Sequence, residues 1–452
     1  MANVVTRVNQ EFDRLVHEMS PSQLQDEFMA MNERLLSRRA LAGPKVLPTF
    51  IKPFFLSESQ LRYFRETVET VLNCQEKLID LYFTVEDFRP FFELTEPEVP
   101  LVNIPGRLAR RIYFSRMDTI MYGAGIEDFM FLEFNCDSPG GAHYADIQVE
   151  ELMELSLMKQ LQRDFFFMNE PYRPKVLNAL LTAWWQAGGR RNPHIAVMGN
   201  PKVTNVEEFR LFAEYFAERG LHGFFTDPWS LEYDGRRLAK DGRPIDLIYR
   251  RGVLSDYSQH VEEVKPVISA YEDGNVVFAN PLSAKLGDNK NLLSLLTDER
   301  LSFLFTAAEQ EALLKHIPWT RIMREGLTTY KGEDVDLFPF VREHREQLVI
   351  KPNSMFGGKG VVIGHEATQQ EWDDAIGESC HAQKVVQQYV PIPRMEFPVI
   401  TPDGVTFEEK KINHNFFTFA GYFGGGFCRT SDSSIINISA GGALVTFFVV
   451  KD

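Results

Sequence analysis

The chain has 452 residues, of which 44% are hydrophobic and 25% charged, and its net charge is −15. That length exceeds what one hydrophobic core supports, so two or three domains or layers are expected. The acidic balance argues against a nucleic-acid partner, which needs clustered Lys and Arg. The first stretch, MANVVTRVNQEFDRL, lacks the apolar core of a signal peptide, and no run approaches the roughly 18 apolar residues of a membrane span.

Residues 1–100 read as mostly helical. Phe12, Leu15 and Met19, then Leu24, Phe28, Met31 and Leu35, recur at helical spacing, and Ser57 with Gln60 forms a capping box ahead of a helix expected to run through about residue 82. Residues 111–146 follow. IYFSRMDTIMY and FMFLEFN read as two strands, and Gly123-Ala124-Gly125 is the turn signal of a hairpin. Strict alternation puts Arg116 and Asp118 on one face of the first strand. It puts Phe129, Phe131, Glu133 and Asn135 on one face of the second, with Met130, Leu132 and Phe134 on the other. Asp118, Glu133 and Asn135 can then converge with Arg116 beside them. Two carboxylates and an amide oxygen suit Mg²⁺, and an arginine holds a phosphate or carboxylate bidentately. The same residues also fit a half-buried hairpin whose Arg116 pairs with Asp118 or Glu133.

Residues 147–168 return to helical spacing through Leu152, Leu155, Met158 and Leu161. Between 194 and 251 the pattern is strand HIAVM, amphipathic helix Asn205 to Arg219 stopped by Gly220, strand LHGFFTD, a turn-rich loop and strand DLIYRR. That order is a βαβ unit and predicts a parallel, Rossmann-like sheet. No GxGxxG follows HIAVM, so dinucleotide binding is not inferred. Arg250 and Arg251 end a strand, where ligands of open α/β sheets often bind; a solvated surface pair is the alternative. Residues 260–345 read as helical with one strand near NVVFANP. Asp288 or Asn289 is placed to cap an apolar run, so Lys290 falls at a helix N-terminus, a position that suits a cation only if an anion sits there too.

From 348 the pattern is β. LVIKP is a strand ending in Lys351, and Gly357, Gly358 and Gly360 form a loop whose backbone N–H groups are able to fold over phosphates, or a simple glycine-rich turn. It is not a Walker loop, because GK[ST] is absent and a strand follows. KVVQQYVPIP and the closing segment from His414 are further strands. The four cysteines, Cys74, Cys136, Cys380 and Cys428, lack metal-site spacing and read as free thiols of a reducing cytoplasm.

Together these motifs resemble an ATP-grasp enzyme in circularly permuted order, with FLEFNCDSP more than two hundred residues ahead of VIKPNSMFGGKG. The order is similar to that of the synthetase domain of glutathionylspermidine synthase. Arg116-Met117-Asp118 matches that family's R-x-D, and Glu133-Phe134-Asn135 with Asp137, Ser138 and Pro139 matches its E-Y-N-A-D-T-P. The resemblance implies that Asp118, Glu133 and Asn135 ligate Mg²⁺, expected as two ions, and that Arg116 steadies the transferred phosphoryl group. It implies nucleotide contacts for Lys351, for the loop of Gly357, Gly358 and Gly360, and for Lys290, with Lys315 and Lys331 as rivals. Val386 to Val390, with Gln387, Gln388 and Tyr389, resembles the strand that holds adenine. GYFGGGFCR, ending in Arg429, resembles the family's C-terminal G-N-Y-G-G-x-x-x-R.

Ser138-Pro139-Gly140-Gly141 departs from the threonine-rich segment of that family, so glutathione and polyamine are not carried over, and with no stretch here matching the family's amidase domain, amide hydrolysis is not expected. The fold expected is α/β (α+β): a permuted ATP-grasp fold with a Rossmann-like pre-ATP-grasp domain and a helical N-terminal region. The expected divisions are a helical region at 1–105, a metal-binding part at 106–190, a Rossmann-like substrate domain at 191–285 and nucleotide-binding lobes with the glycine lid at 286–452. The activity implied is ATP-dependent ligation of a small-molecule carboxylate to an amine through an acyl phosphate. A small-molecule kinase and a non-catalytic nucleotide-binding protein are the alternatives. Neither a nucleic acid nor a membrane is an expected partner, and homo-oligomerisation is left open.

Overall fold

The two apolar stripes at the start fold as helices Val4–Glu18 and Pro21–Ser37, the second entered through a capping box of Ser20 and Gln23. The capping box of Ser57 and Gln60 opens a longer helix, Glu58–Thr84, whose Phe64, Val68, Val71 and Leu72 are fully buried. The structure is a computed structural model and describes residues 3–355, 357–401, 404–436 and 442–452.

The helices pack on a seven-stranded sheet. Its strands run in the order Phe54–Ser57, Ala443–Val450, Tyr422–Ser431, Gly404–Phe419, Phe114–Met121 and Phe129–Asn135; Arg394–Thr401 pairs with the first half of the long Gly404–Phe419 strand. Neighbours are antiparallel except Phe54–Ser57 against Ala443–Val450. The last strands of the chain therefore flank the 111–146 hairpin, which sequence order alone keeps far away. Apolar clusters cover both faces. On one, Phe64 meets Phe129 and Phe416 with ring centroids 4.5 and 4.9 Å apart. On the other lie the first two helices and helices Ala142–Met153 and Tyr172–Gln186.

The hairpin forms as expected, but strict alternation fails within it. Asp118 pairs with Glu133 and Thr119 pairs with Phe131, leaving Leu132 as the extra residue of a β-bulge. The bulge flips the alternation. Phe129, Phe131 and Phe134 lie in the core, whereas Leu132, Glu133 and Asn135 turn to the opposite side.

A second sheet is wholly parallel, in the order Val277–Ala279, Leu247–Arg250, His194–Met198 and His222–Thr226, with helix Val206–Glu218 as the crossover between the first two strands in sequence. This is the Rossmann-like winding read from the sequence. Arg250 and Arg251 depart from both readings of them: neither is solvated, being 1% and 4% exposed, and each is spent on an internal carboxylate. Arg250 meets Asp137 at 2.7 Å and Arg251 meets Glu208 at 2.9 Å.

A third sheet is antiparallel, in the order Thr320–Ile322, Lys384–Gln388, Leu348–Pro352 and Val362–Ile363. It has its own small core around the buried Trp372. The helical reading of 260–345 holds for Lys265–Glu272, Asn291–Leu296, Ala307–His316 and Leu337–Glu343, but misses Thr320–Ile322 and the hairpin Leu327–Tyr330 with Glu333–Asp336. Lys331 and Gly332 form the turn of that hairpin with φ of 52° and 82°, the two positive values a type I′ turn demands.

Candidate active site

The third sheet faces the bulged hairpin of the first across a cavity. Arg116, Asp118, Glu133 and Asn135 line one wall, joined by Asn413 and Arg429 from the two neighbouring strands. Lys351, Gln387, Gln388, Tyr389 and Val390 line the other, with Gly357 and Gly358 at the rim. Sheet register produces this convergence. Asp118 lies directly across from Glu133 and Arg116 from Asn135, while on its other edge Asp118 neighbours Asn415. Directly opposite side chains sit close enough to share one ligand.

The Asn135 amide donates to Asp118 Oδ1 at 3.0 Å. Arg116 Nε donates to the same oxygen at 3.1 Å, and Arg429 Nη2 donates to Oδ2 at 2.5 Å. Burial alone would raise the Asp118 carboxyl, but Arg429 and Arg116 outweigh it and hold the group below the usual carboxylate range. Lys290 reaches over from the start of helix Asn291–Leu296, 3.3 Å from Glu133 Oε1, and donates to the Met355 carbonyl at 3.0 Å. Its expected cap is partial: the Asn289 side chain accepts from Asn291 N at 3.0 Å, and Asp288 instead accepts from the backbone of Cys136 at 2.9 Å. Of the rival lysines, Lys315 pairs with Glu127 and Glu311 at the surface and Lys331 sits in its hairpin turn.

Lys351 donates to Gln387 Oε1 at 2.5 Å and to the Leu132 carbonyl at 3.4 Å. Burial pulls its amine down to about 8; nearby Lys290 adds to this, while Glu133 and Asp118 oppose it. Gln387 is itself buried, with its amide donating to Thr320 Oγ1 at 3.0 Å, so it braces the lysine. Gln388 to Val390 carry the end of that strand past apolar Val349, Ile363 and Ile392. Gly357, Gly358 and Gly360 have φ of 70°, 77° and 71°, values only glycine takes without strain. A Cβ on Gly358 would stand 2.2 Å from Ile435 Cγ2, so the loop closes against the segment after Arg429. Gly360 lies off the cavity, behind Pro352.

Sequence reading passed over Asn413, yet its signal is present. KINHNFF sets Asn413 and Asn415 two apart in an apolar strand, the same feature that drew attention to Glu133 and Asn135. Among the described residues no group of three or more His, Cys, Asp and Glu forms a metal cluster. The oxygens here come from two carboxylates and a carboxamide, the donor type that a hard cation takes.

A family model described as a circularly permuted ATP-grasp matches residues 98–390. The chain belongs to this family. The match takes in Arg116, Asp118, Glu133, Asn135, Lys290, Lys351 and Gln387 to Val390 and ends before Asn413, Arg429 and the segment at Ile435. Placing E-x-N ahead of the lysines and glycine loop is the permuted ATP-grasp order in this chain. An uncharacterised protein of Synechocystis is 23% identical over 361 residues, 72% of this chain and 67% of that protein. A Frankia alni protein provisionally named a glutamate–cysteine ligase is 27% identical over 273 residues, 58% of this chain but only 29% of that protein. Among solved structures, a glutathione synthetase-like effector from Globodera pallida shares the fold at a TM-score of 0.64 and 12% identity, covering 96% of this chain and 98% of that one.

Proposed function

We propose that this ATP-grasp protein is a carboxylate–amine ligase that forms an amide bond through an acyl phosphate and releases ADP and phosphate. One observation carries the reading: a single cavity gathers the oxygen set Asp118, Glu133 and Asn135, the buried Lys351 and the arginine pair Arg116 and Arg429. Lys290 pairs with Glu133 at its edge.

Asp118, Glu133 and the Asn135 oxygen would hold Mg²⁺, which when bound supplies charge neutralisation of the phosphates. Lys351 and Lys290 bind phosphate oxygens, and Gln388 to Val390, at the end of their strand, receive the adenine. Gly357 to Gly360 exclude water, protecting an intermediate that water would hydrolyse. The terminal phosphoryl group passes to a carboxylate oxygen of the acid substrate as its bond to ADP breaks. Arg116 and Arg429 stabilise the charge on the transferred group. The amine nitrogen then attacks the acyl carbon, the acyl–oxygen bond breaks, phosphate departs and the amine's proton goes to solvent. No covalent nucleophile from the protein is required. The test is a screen of amino acids, polyamines and short peptides, in pairs, for ADP release that needs both partners and a product mass equal to their sum less water. ADP release that needs one partner alone and leaves a stable phosphorylated product overturns the reading.

Lys351 makes nucleotide binding pH-dependent. Bound phosphates favour its charged form and raise its pKa above the value near 8 that burial imposes. Binding therefore takes up a proton in the window above pH 8, and affinity present below it is lost as pH rises through it. Calorimetry with a non-hydrolysable ATP analogue, from about pH 7 to about 9.5, should show falling affinity with proton uptake. Lys351→Arg should flatten the profile, and Lys351→Ala should cost about 1.5–3 kcal/mol of binding. A profile flat for the unmodified protein moves the phosphate site elsewhere.

A further inference from the structure

We propose that the buried pair Arg251–Glu208 positions Arg116, so that the parallel sheet sets the geometry of phosphoryl transfer instead of offering a ligand crevice. The proposal rests on the reading that Arg116 contacts the transferred phosphoryl group.

In open α/β sheets the carboxyl ends of the strands form the ligand crevice. Here the chain itself fills that edge. Arg250 donates to the carbonyls of Asn280 at 3.0 Å, Gly252 at 2.6 Å and Pro281 at 3.2 Å, and pairs with Asp137. Arg251, one residue on, turns the other way. Its guanidinium lies between the rings of Phe209 and Tyr249, 4.6 and 5.2 Å from their centroids, and donates to Glu208 Oε2 at 2.9 Å. Both side chains are almost fully buried.

The other oxygen of Glu208 reaches the loop that follows the Phe129–Asn135 strand. It accepts from Gly141 N at 2.8 Å and from His143 N at 3.2 Å. The Ser138 hydroxyl donates to the Arg251 carbonyl at 2.9 Å, fixing the loop a second time. Gly140 then lies directly on the ion pair. A Cβ there would stand 2.9 Å from Arg251 Nη2 and 3.3 Å from Glu208 Oε2. The carbonyl of Gly140 accepts from Arg116 Nη1 at 3.3 Å, and Arg116 Nε binds Asp118. The path from the sheet to the cavity thus runs from Arg251 to Glu208 and through the Gly140–Gly141 peptide, whose N–H binds Glu208 and whose carbonyl binds Arg116. Two fixed acceptors, the Gly140 carbonyl and Asp118, set the orientation of the Arg116 fork. The departure Ser138-Pro139-Gly140-Gly141 has a physical reason in this reading: residue 140 leaves no room for a side chain above the pair.

The experiment compares calorimetric affinities for ADP and for a non-hydrolysable ATP analogue, both with Mg²⁺. Their ratio isolates the contacts to the terminal phosphoryl group. Arg116→Ala should lower that ratio by about tenfold. Glu208→Gln, which keeps an acceptor for Gly141 and His143 but removes the charge, should lower it by about fivefold with ADP affinity unchanged. The double variant should fall no further than Arg116→Ala alone, a coupling that a merely structural role would not produce. Gly140→Ala is the second probe should Glu208→Gln fold poorly, since it keeps both charges and presses on the pair; it should lower the ratio in the same direction. If Arg116→Ala leaves the ratio unchanged, the phosphoryl role of Arg116 falls and the proposal with it. If Arg116→Ala lowers the ratio while Glu208→Gln and Gly140→Ala do not, or if the effects add, the positioning role alone is overturned.

Discussion

Glu133→Gln should abolish Mg²⁺-dependent ADP release while the fold persists. Glu133 is the cleaner of the two carboxylates to test. Its side chain keeps about a quarter of its exposure, and among the described residues its ion-pair partner is Lys290 at 3.3 Å. Asp118 by contrast anchors Arg116 and Arg429 together. Removing it would strand two arginines, and breaking a buried pair costs about 3–5 kcal/mol in stability. Gln in place of Glu133 keeps the volume and one acceptor oxygen but removes the charge that a divalent cation needs. The loss should reach about 10²–10³ in rate, the scale of one preorganised electrostatic contact. Circular dichroism should match the unmodified protein. Near-normal ADP release would mean that the oxygen set is not the metal site.

Sequence reading reached the residues that line this cavity through short-range signals. Glu133 and Asn135 in an apolar strand, Arg116 and Asp118 at the same spacing upstream, and a glycine loop after Lys351 are local patterns, and they converge in the cavity. The bulge at Leu132 was not legible, because an extra residue in a strand leaves no mark on its composition. Yet the bulge decides which residues face the cavity, and it put Phe134 in the core where alternation placed it with Leu132. The partners of Arg250 and Arg251 were equally hidden. Asp137 is marked in the sequence only as part of the motif after Asn135 and Glu208 not at all, and only the packing of the parallel sheet against the 137–143 loop makes them counter-ions. The hairpin at 327–336 was missed for a different reason: its turn, Lys331-Gly332, is a weaker signal than Asn-Gly, and the helical stripes on either side masked two short strands.

Arg116→Ala should separate a ligase from a kinase. Arg116 and Arg429 both bind Asp118, on the wall of the cavity opposite Gln388 to Val390, where adenine is proposed to sit. In a ligase the transferred phosphoryl group must be held twice, once as it leaves ADP and again while the amine displaces it. An arginine fork suits both, since its donors are fixed in a plane and it stays charged. Arg116→Ala should therefore bind ADP nearly normally and lose amine-dependent turnover by about 10²–10³. The unmodified protein supplies the complementary measurement. With the correct acid and no amine, hydroxylamine should trap the acyl phosphate as a hydroxamate, in step with ADP release. A kinase acting on a hydroxyl group would instead yield a stable phosphorylated product, insensitive to hydroxylamine and with no need of an amine. Mass spectrometry of the product distinguishes the two, and the stable phosphorylated species would replace the ligase reading with the kinase.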